Sequence, residues 1–448
     1  MLSRFCLYFV LTCTNAPLLR CGALDDSRHE TAQRTESSQG NAERTHVFKE
    51  GIPQLSSRRD LERKGRLAGS HIHEVVFAIK PNNMEELTRI LHDVSDPVSE
   101  NYGQHMTRNE VRDLTSTPVA NLAVTSYLEA IGATVVSESL DGEYITATAP
   151  IHTWEKMFHA EFHTFEQKHV DGGRSGTIRA EEYWIPKELH EHVEYVMNVI
   201  DISFSSEKGY RKDSVDGGRK LLPKIFDNRI TPLKLRAAYN MSDSHGSKLS
   251  TQAVYSNGQN YFGTTDLAWF QANISGQALQ PAISIGHHNT TDCDANDCGE
   301  GNLDVQYIMA MSPVSPTYHW YLFNSLGSWL REIASTTTIP LVLSISYGAP
   351  EVRTSMGEIN LFSNMAMKLG VMGTTIVVAS GDSGSADTLN GKYPTCVYNP
   401  DFPASSPYVV SVGATMVSNL AVIADLSLSY QISSDTLCAI ANFQNVLH

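Results

Sequence analysis

No run of apolar residues in this chain approaches the ~20 that a helix needs to cross a bilayer, so no membrane-spanning helix is expected. The nearest candidate is the stretch 5–13, which follows Arg4 and precedes Cys21, Gly22 and Ala23. A short apolar run between a basic residue and small residues reads as a signal peptide over residues 1–23. Clustered basic and aromatic residues are also missing. The 34 Lys and Arg are outnumbered by 49 Asp and Glu, and a formal charge of -15 argues against nucleic acid or anionic membrane as partners. Cysteine is scarce as well: of seven, Cys6, Cys13 and Cys21 leave with the signal, and Cys293, Cys298, Cys396 and Cys438 remain. Cys293 and Cys298 are close enough to bridge, and an oxidising compartment would permit it. A zinc site would need a second close pair or a spaced His pair, and neither is there. The loop from Asp292 to Cys298 also fails the calcium-loop pattern, with Asp297 where Gly is required and Leu303 where the bidentate Glu belongs.

What is present suits a secreted or lumenal protein. Three sequons begin at Asn240, Asn273 and Asn289, and all fall in the second half of the chain. At 448 residues and 41% hydrophobic, the chain can form two or three domains. Residues 24–70 are polar and are expected to be a flexible lead-in. Residues 71–204 read as an activation-type unit: a strand at 73–80, helices at 83–94, 119–131 and 153–159, and strands near 134–137, 144–148, 160–165 and 193–202. The second of those helices is expected to turn Leu122, Val124, Tyr127, Leu128 and Ile131 inward. Two long helices among hairpin-like strands predict a compact antiparallel α+β, ferredoxin-like domain.

Residues 205–229 break the rhythm with Lys, Arg, Ser and Gly and read as an exposed, protease-accessible linker. Residues 230–415 differ again. The runs 339–348, 375–379 and 407–412 are near-continuously apolar, and between the first two Ile359, Phe362, Met365 and Leu369 recur at helical spacing. Strand, helix, strand of this kind predicts a parallel α/β sheet, whose chemistry belongs at the carboxyl ends of its strands.

Both Ser346-Tyr347-Gly348 and Ser380-Gly381-Asp382-Ser383-Gly384 fall at such ends. Upstream, Cys298-Gly-Glu-Gly-Asn-Leu-Asp-Val-Gln-Tyr307 places Glu300 and Asp304 four residues apart at the start of a helix, on one face. Two neighbouring acids cannot both ionise cheaply, which can yield a general base and a carboxyl that orients it. Gly-Asp-Ser-Gly is also the nucleophile signature of chymotrypsin-like proteases, which would single out Ser383. Those are antiparallel barrels with an upstream His segment that this chain lacks. A purely structural glycine-rich turn is the remaining alternative.

Together these pieces resemble the sedolisins, the serine-carboxyl peptidases with a subtilisin-like fold, and most of all their tripeptidyl-peptidase 1 branch. The resemblance rests on Glu300-Gly-Asn-Leu-Asp304, Ser344-Ile-Ser-Tyr-Gly348, Ala379-Ser-Gly-Asp382-Ser-Gly384, the block from Asp401 to Thr415, and Tyr102-Gly-Gln-His-Met-Thr107 upstream. It implies Glu300 as general base, Asp304 as the acid that orients it, and Asp382 as the acid of the oxyanion hole. Ser344, Ser346, Tyr347 and Gly348 would form a strand edge that pairs with an extended substrate. A carboxyl group donates to an oxyanion only while protonated, so an acidic optimum and an acidic, lysosome-like or extracellular destination are implied. Peptides or unfolded proteins would be the substrates, and the chain's own prodomain the inhibitor.

The resemblance stops near Thr415. The family's Ser-Gly-Thr-Ser nucleophile segment and later calcium site have no counterpart, and residues 416–448 match nothing expected. Two expectations follow. In one, the sequence is an incomplete version of an acid-active peptidase zymogen. In the other, it is a non-catalytic homologue whose prodomain-like unit binds or inhibits a full-length relative.

Overall fold

In the computed structural model, the described residues are 45–53, 55, 58, 61–168, 174–202, 230–241, 245–257, 261–286, 295–322, 325–381, 400–413, 415–418 and 421–424. The chain divides into Met1–Arg44, none of it among those residues, and Thr45–His448, to which everything below belongs. The expected signal peptide and the linker expected at 205–229 lie outside the described residues.

The first layer runs β1 (His46–Gly51), β2 (Leu61–Arg66), β3 (Ile72–Ile79), α1 (Met84–Ser95), α2 (Arg108–Thr115), α3 (Pro118–Ala130), β4 (Thr134–Glu138) and β5 (Tyr144–Pro150). It continues through α4 (Ile151–Phe158), β6 (Phe162–Lys168), β7 (Arg174–Ala180), β8 (Glu182–Pro186), α5 (Lys187–His190) and β9 (Val193–Met197). Its main sheet has the order β4-β5-β3-β9, with every pair antiparallel. β3 explains its own apolar sequence, because a strand buried on both faces has no polar side to show. Val75, Phe77 and Ile79 enter the domain's own core, with Trp154 and Phe158, while Val76 and Ala78 point to the second layer.

Order therefore begins well before His71. β1 pairs with β8 and β2 with β6. The sequence Leu-Glu-Arg-Lys-Gly-Arg of β2 looks unstructured because an outer strand is held by its backbone and keeps its charges in water. α2 is not among the helices expected from sequence, although Thr107 and Glu110 form a capping box: the Thr107 side chain accepts from the Glu110 amide, and Glu110 Oε2 accepts from the Thr107 amide at 2.7 Å. In α3 the inward stripe is Ala120, Val124 and Leu128, whereas Leu122 is 65% exposed. The strand expected over 193–202 ends at Met197, where Asn198 turns the chain with φ 68°.

The second layer comprises α6 (Pro232–Ala238), β10 (Gln252–Ser256), α7 (Thr264–Phe270), β11 (Ile283–Ile285), α8 (Ala295–Met311), β12 (Thr317–Tyr321), α9 (Leu326–Ser335), β13 (Val342–Ile345) and β14 (Ala349–Pro350). After these come α10 (Met356–Val371), β15 (Thr375–Ala379), β16 (Asp401–Phe402), β17 (Val410–Val412) and a hairpin of β18 (Thr415–Ser418) with β19 (Ala421–Ala424). Six strands form one parallel sheet in the order β11-β12-β10-β13-β15-β17. Within the run 339–348, pairing starts only at Val342, after Pro340, which has no amide to donate. β17 lies at one end of the sheet, and Val410 and Val412 are 51% and 47% exposed, not buried on both faces.

The two layers meet on α9 and α10. Val76, Ala78, Tyr144, Tyr195 and Met197 of the first share one apolar cluster with Trp329, Leu330, Leu361, Phe362 and Met365 of the second. At ~1.5–3 kcal/mol per fully buried large side chain, this interface is comparable to a domain core. It also holds a buried ion pair, in which Lys368 of α10 donates to Glu143 Oε2. The Thr115 hydroxyl donates to the other oxygen of Glu143 at 2.7 Å.

Candidate active site

Strand periodicity divides the parallel sheet into two faces. Ala253, Tyr255, Leu343, Ile345, Tyr347, Ile376 and Val378 pack toward α9 and α10, beneath the first layer. The alternate residues face α7 and α8, where Phe262, Leu267, Val305 and Met309 form a separate cluster. The acid pair lies on this second side.

α8 bears Glu300 and Asp304 one turn apart, each half-buried. Its inward stripe is Cys298, Gly301, Val305 and Met309, so the two acids occupy the neighbouring stripe at the helix flank. Two glycines near its start make this helix intrinsically poor, and tertiary contacts compensate. At Gly301 the helix packs against the backbone ahead of α7 so closely that a Cβ would meet the Tyr261 carbonyl oxygen at 2.1 Å. Asn302 Oδ1 accepts from the Gly263 amide at 2.8 Å, and its Nδ2 donates to Asp266 at 2.9 Å. Cys298 is fully buried and held in a disulfide, while Cys293 lies outside the described residues. At the other end, Arg236 donates to the carbonyls of Ala310 and Met311 at 2.9 and 3.1 Å, capping the helix where its carbonyls lack partners.

The stretch after β13 crosses both faces. Ser346 Oγ donates to Asp304 Oδ1 at 2.9 Å, so a residue expected beside the substrate also ties the strand end to the acid pair. Tyr347 points the other way, its ring 5.4 Å from that of Tyr255. Burial first, and then the Asp304 charge, push its phenol well above the ordinary tyrosine range. Ser344 lies within β13, paired with Val254 on one side and Val377 on the other, so its backbone is no open edge. Added backbone could enter only from Ser346 onward, before Ala349 pairs with Phe402.

The neighbouring strand β15 ends beside β13. Its amide at Ser380 donates to the Val412 carbonyl at 3.0 Å, and the Asp401 carboxylate lies against Gly381. Asp382, expected in the oxyanion hole, lies one residue outside the described ones. Of the sequons, Asn240 and Asn273 are exposed, the first with φ 54° and the second in a π-helical turn, Gln271–Ser275. Asn289 lies outside the described residues.

No local signal singles out His319, on β12 below α7 and α8. It is fully buried, its ring 4.9 Å from that of Phe262, and neither ring nitrogen has a hydrogen-bond partner among the described residues. Burial lowers its pKa to about 4, so it is neutral in all but strong acid.

The family description "Pro-kumamolisin, activation domain" matches residues 59–201, which include β2. Physarolisin from Physarum polycephalum is 28% identical over 405 residues, covering 84% of this chain and 65% of that protein. Tripeptidyl-peptidase 1 from Mus musculus is 28% identical over 384 residues, covering 82% and 65%. The chain thus spans slightly under two thirds of the length of these curated relatives. Among solved structures, a Pseudomonas sedolisin complexed with two molecules of pseudo-iodotyrostatin matches with a TM-score of 0.36 and 22% identity, over 42% of this chain and 54% of that one.

Proposed function

Because the chain is related to physarolisin and tripeptidyl-peptidase 1 and carries a pro-kumamolisin activation domain, we propose that it is the zymogen form of an acid-active serine-carboxyl peptidase. The observation that carries this reading is the placement of Glu300 and Asp304 on one flank of α8, with Asp304 fixed by Ser346 at the carboxyl end of a parallel strand.

Glu300 acts as the general base toward a serine hydroxyl, and Asp304 orients it and takes up part of the proton's charge. Ser346 keeps Asp304 in one rotamer. Asp382, protonated in acid, donates to the oxyanion as the carbonyl is attacked. The extended peptide lies along Ser346 to Gly348, with its N-terminal residues counted from there as in tripeptide removal. The 448 residues contain no Ser-Gly-Thr-Ser segment, so the reading assigns the acid half of the machinery only. Calcium, implied by the resemblance, finds no group of three or more His, Cys, Asp or Glu among the described residues, and no step depends on it.

The activation domain lies across the sheet from the acid pair, against α9 and α10. Its body therefore inhibits from a distance. A secretory route ending in an acidic compartment is supported by the Cys298 disulfide and the exposed sequons at Asn240 and Asn273.

The test is peptidase assay of the protein purified from its natural source, after acid treatment, with free and N-blocked fluorogenic peptides. Turnover that peaks in acid, prefers a free N-terminus and is abolished by Glu300→Gln is the expected result. A folded protein inert at every pH would favour the non-catalytic homologue, and a maximum near pH 8 would overturn the acid mechanism.

A further inference from the structure

The N-terminus of α10 is where three pieces of the first layer converge on the second. Tyr195 of β9 lays its ring on Gly357, where a Cβ would come within 2.0 Å of Tyr195 Cδ2. Glu50 of β1 faces the Gly357 amide and the Ser355 hydroxyl, orphan donors of the first helical turn. Residues 200–202, following β9, line a small cavity together with Ser325, Thr354, Ser355 and Glu358.

Glu358 lies at the centre of this seat and is 4% exposed. Its Oε1 accepts from the Gly327 amide at 2.9 Å, and the Ser325 hydroxyl also faces the carboxyl. Its Oε2 is buried with no hydrogen-bond partner among the described residues, as is Oε2 of Glu50. Two carboxyl groups, one from each layer, thus meet at this junction, half-buried Glu50 at the first turn of α10 and buried Glu358 at that of α9, with an oxygen of each unanswered among the described residues. An ionised pair in that position is expensive, and a neutral pair is not.

We propose that Glu50 and Glu358 form a proton-dependent seat for the activation domain, which holds while the carboxyl groups are protonated and opens as they ionise. Resting on the zymogen reading, this adds a direction to it: acid tightens docking at this seat, so activation in acid proceeds by cutting the connection and not by undocking here.

The surrounding charges are consistent with this. Asp201, on the stretch after β9, is paired with Arg179 at 3.3 Å and disfavours a second anion on Glu358. Lys49 beside Glu50 donates to the Val193 carbonyl at 2.9 Å and favours the ionised form of Glu50, Glu194 opposes it, and burial outweighs both. Arg58 and Arg353 line the cavity, but no cation among the described residues forms an ion pair with Glu358. The phenols of Tyr195 and Tyr255 are themselves kept neutral by burial. Burial raises the pKa of Glu50, and burial, with Asp201 and Glu50 adding, raises that of Glu358 to about 8. Because the docked values lie above the ordinary 4.5, the contribution is complete below pH 4.5 and is lost as pH rises toward 8.

The test is hydrogen exchange on the intact, uncut chain, following protection of amides in the first turn of α10 and in β9 between pH 5 and 8. Release of one proton on opening makes opening about tenfold more frequent per pH unit, so protection factors should fall by about that amount. Glu358→Gln, which keeps the acceptor for Gly327 and cannot ionise, should flatten the profile and raise protection at pH 8. Wild-type protection that is constant or rises from pH 5 to 8 overturns the proposal without any need for the variant. A Glu358→Gln chain with the wild-type slope overturns it as well. The readout is protection and not turnover, so a protein without peptidase activity would sink the zymogen reading and leave the seat to be judged separately.

Discussion

The Ser346 hydroxyl donates to Asp304 Oδ1 across 2.9 Å, joining the end of β13 to the middle of α8 although the residues are 42 apart in sequence. A hydrogen bond to a carboxylate is worth ~1.5–3 kcal/mol. Ser346→Ala should therefore cost about tenfold or more in kcat of the acid peptidase with KM nearly unchanged, since the bond orients a catalytic group and does not bind substrate. A rise in KM alone would mean that the Ser346 side chain acts through substrate contact and not through Asp304.

Gly357→Ala should loosen the two layers without harming α10. Alanine is the better helix former by ~1 kcal/mol, yet its Cβ meets the Tyr195 ring. Overpacking of this kind costs ~1–3 kcal/mol. Limited proteolysis should show faster cleavage within 45–202, while amides in β10 and β13 keep their protection. Unaltered cleavage would mean that Tyr195 is not held against the helix.

Lys368→Met should destabilise the chain by ~3–5 kcal/mol, because it strands Glu143 in the interface without its partner. Adding Glu143→Gln should restore much of that loss, as the Thr115 hydroxyl can still donate to the amide oxygen. Urea unfolding of the single and double variants measures the difference; additive losses would argue against a coupled pair.

His319→Leu should stabilise the chain in acid. The folded-state pKa of about 4 lies below the ordinary 6.5, so unfolded chain takes up a proton that the folded chain refuses, and stability falls as pH drops from 6.5 toward 4. The full effect is about 3 kcal/mol at pH 4 and below. Thermal unfolding at pH 7 and pH 4.5 should show a smaller acid shift in the variant; equal shifts would place the titration elsewhere.

Elements with a strong period were legible from sequence. β15 has the bounds its apolar run implies, α10 buries Phe362, Met365 and Leu369 as spaced, and Glu300 and Asp304 share a helix. β10 and β12 were not, because Gln252, Thr317 and His319 put polar atoms on a buried face, and Gln252 satisfies Thr317 only after the strands have paired. β1 and β2 escaped notice because backbone pairing leaves no apolar trace. The Glu50–Glu358 seat joins residues more than 300 apart, and nothing local marks either as part of one site.

Along β13 and just beyond it, side chains alternate between the helices that seat the activation domain and the helix that bears the acids. Leu343, Ile345 and Tyr347 take the first side, and Ser346 takes the second. A substitution scan through this short stretch should accordingly give phenotypes that change with every residue, latency at the odd positions and turnover at Ser346. On the proposed reading, docking of the first layer and support of the acid pair are interleaved in a single strand, and a one-residue slip in its register would exchange them.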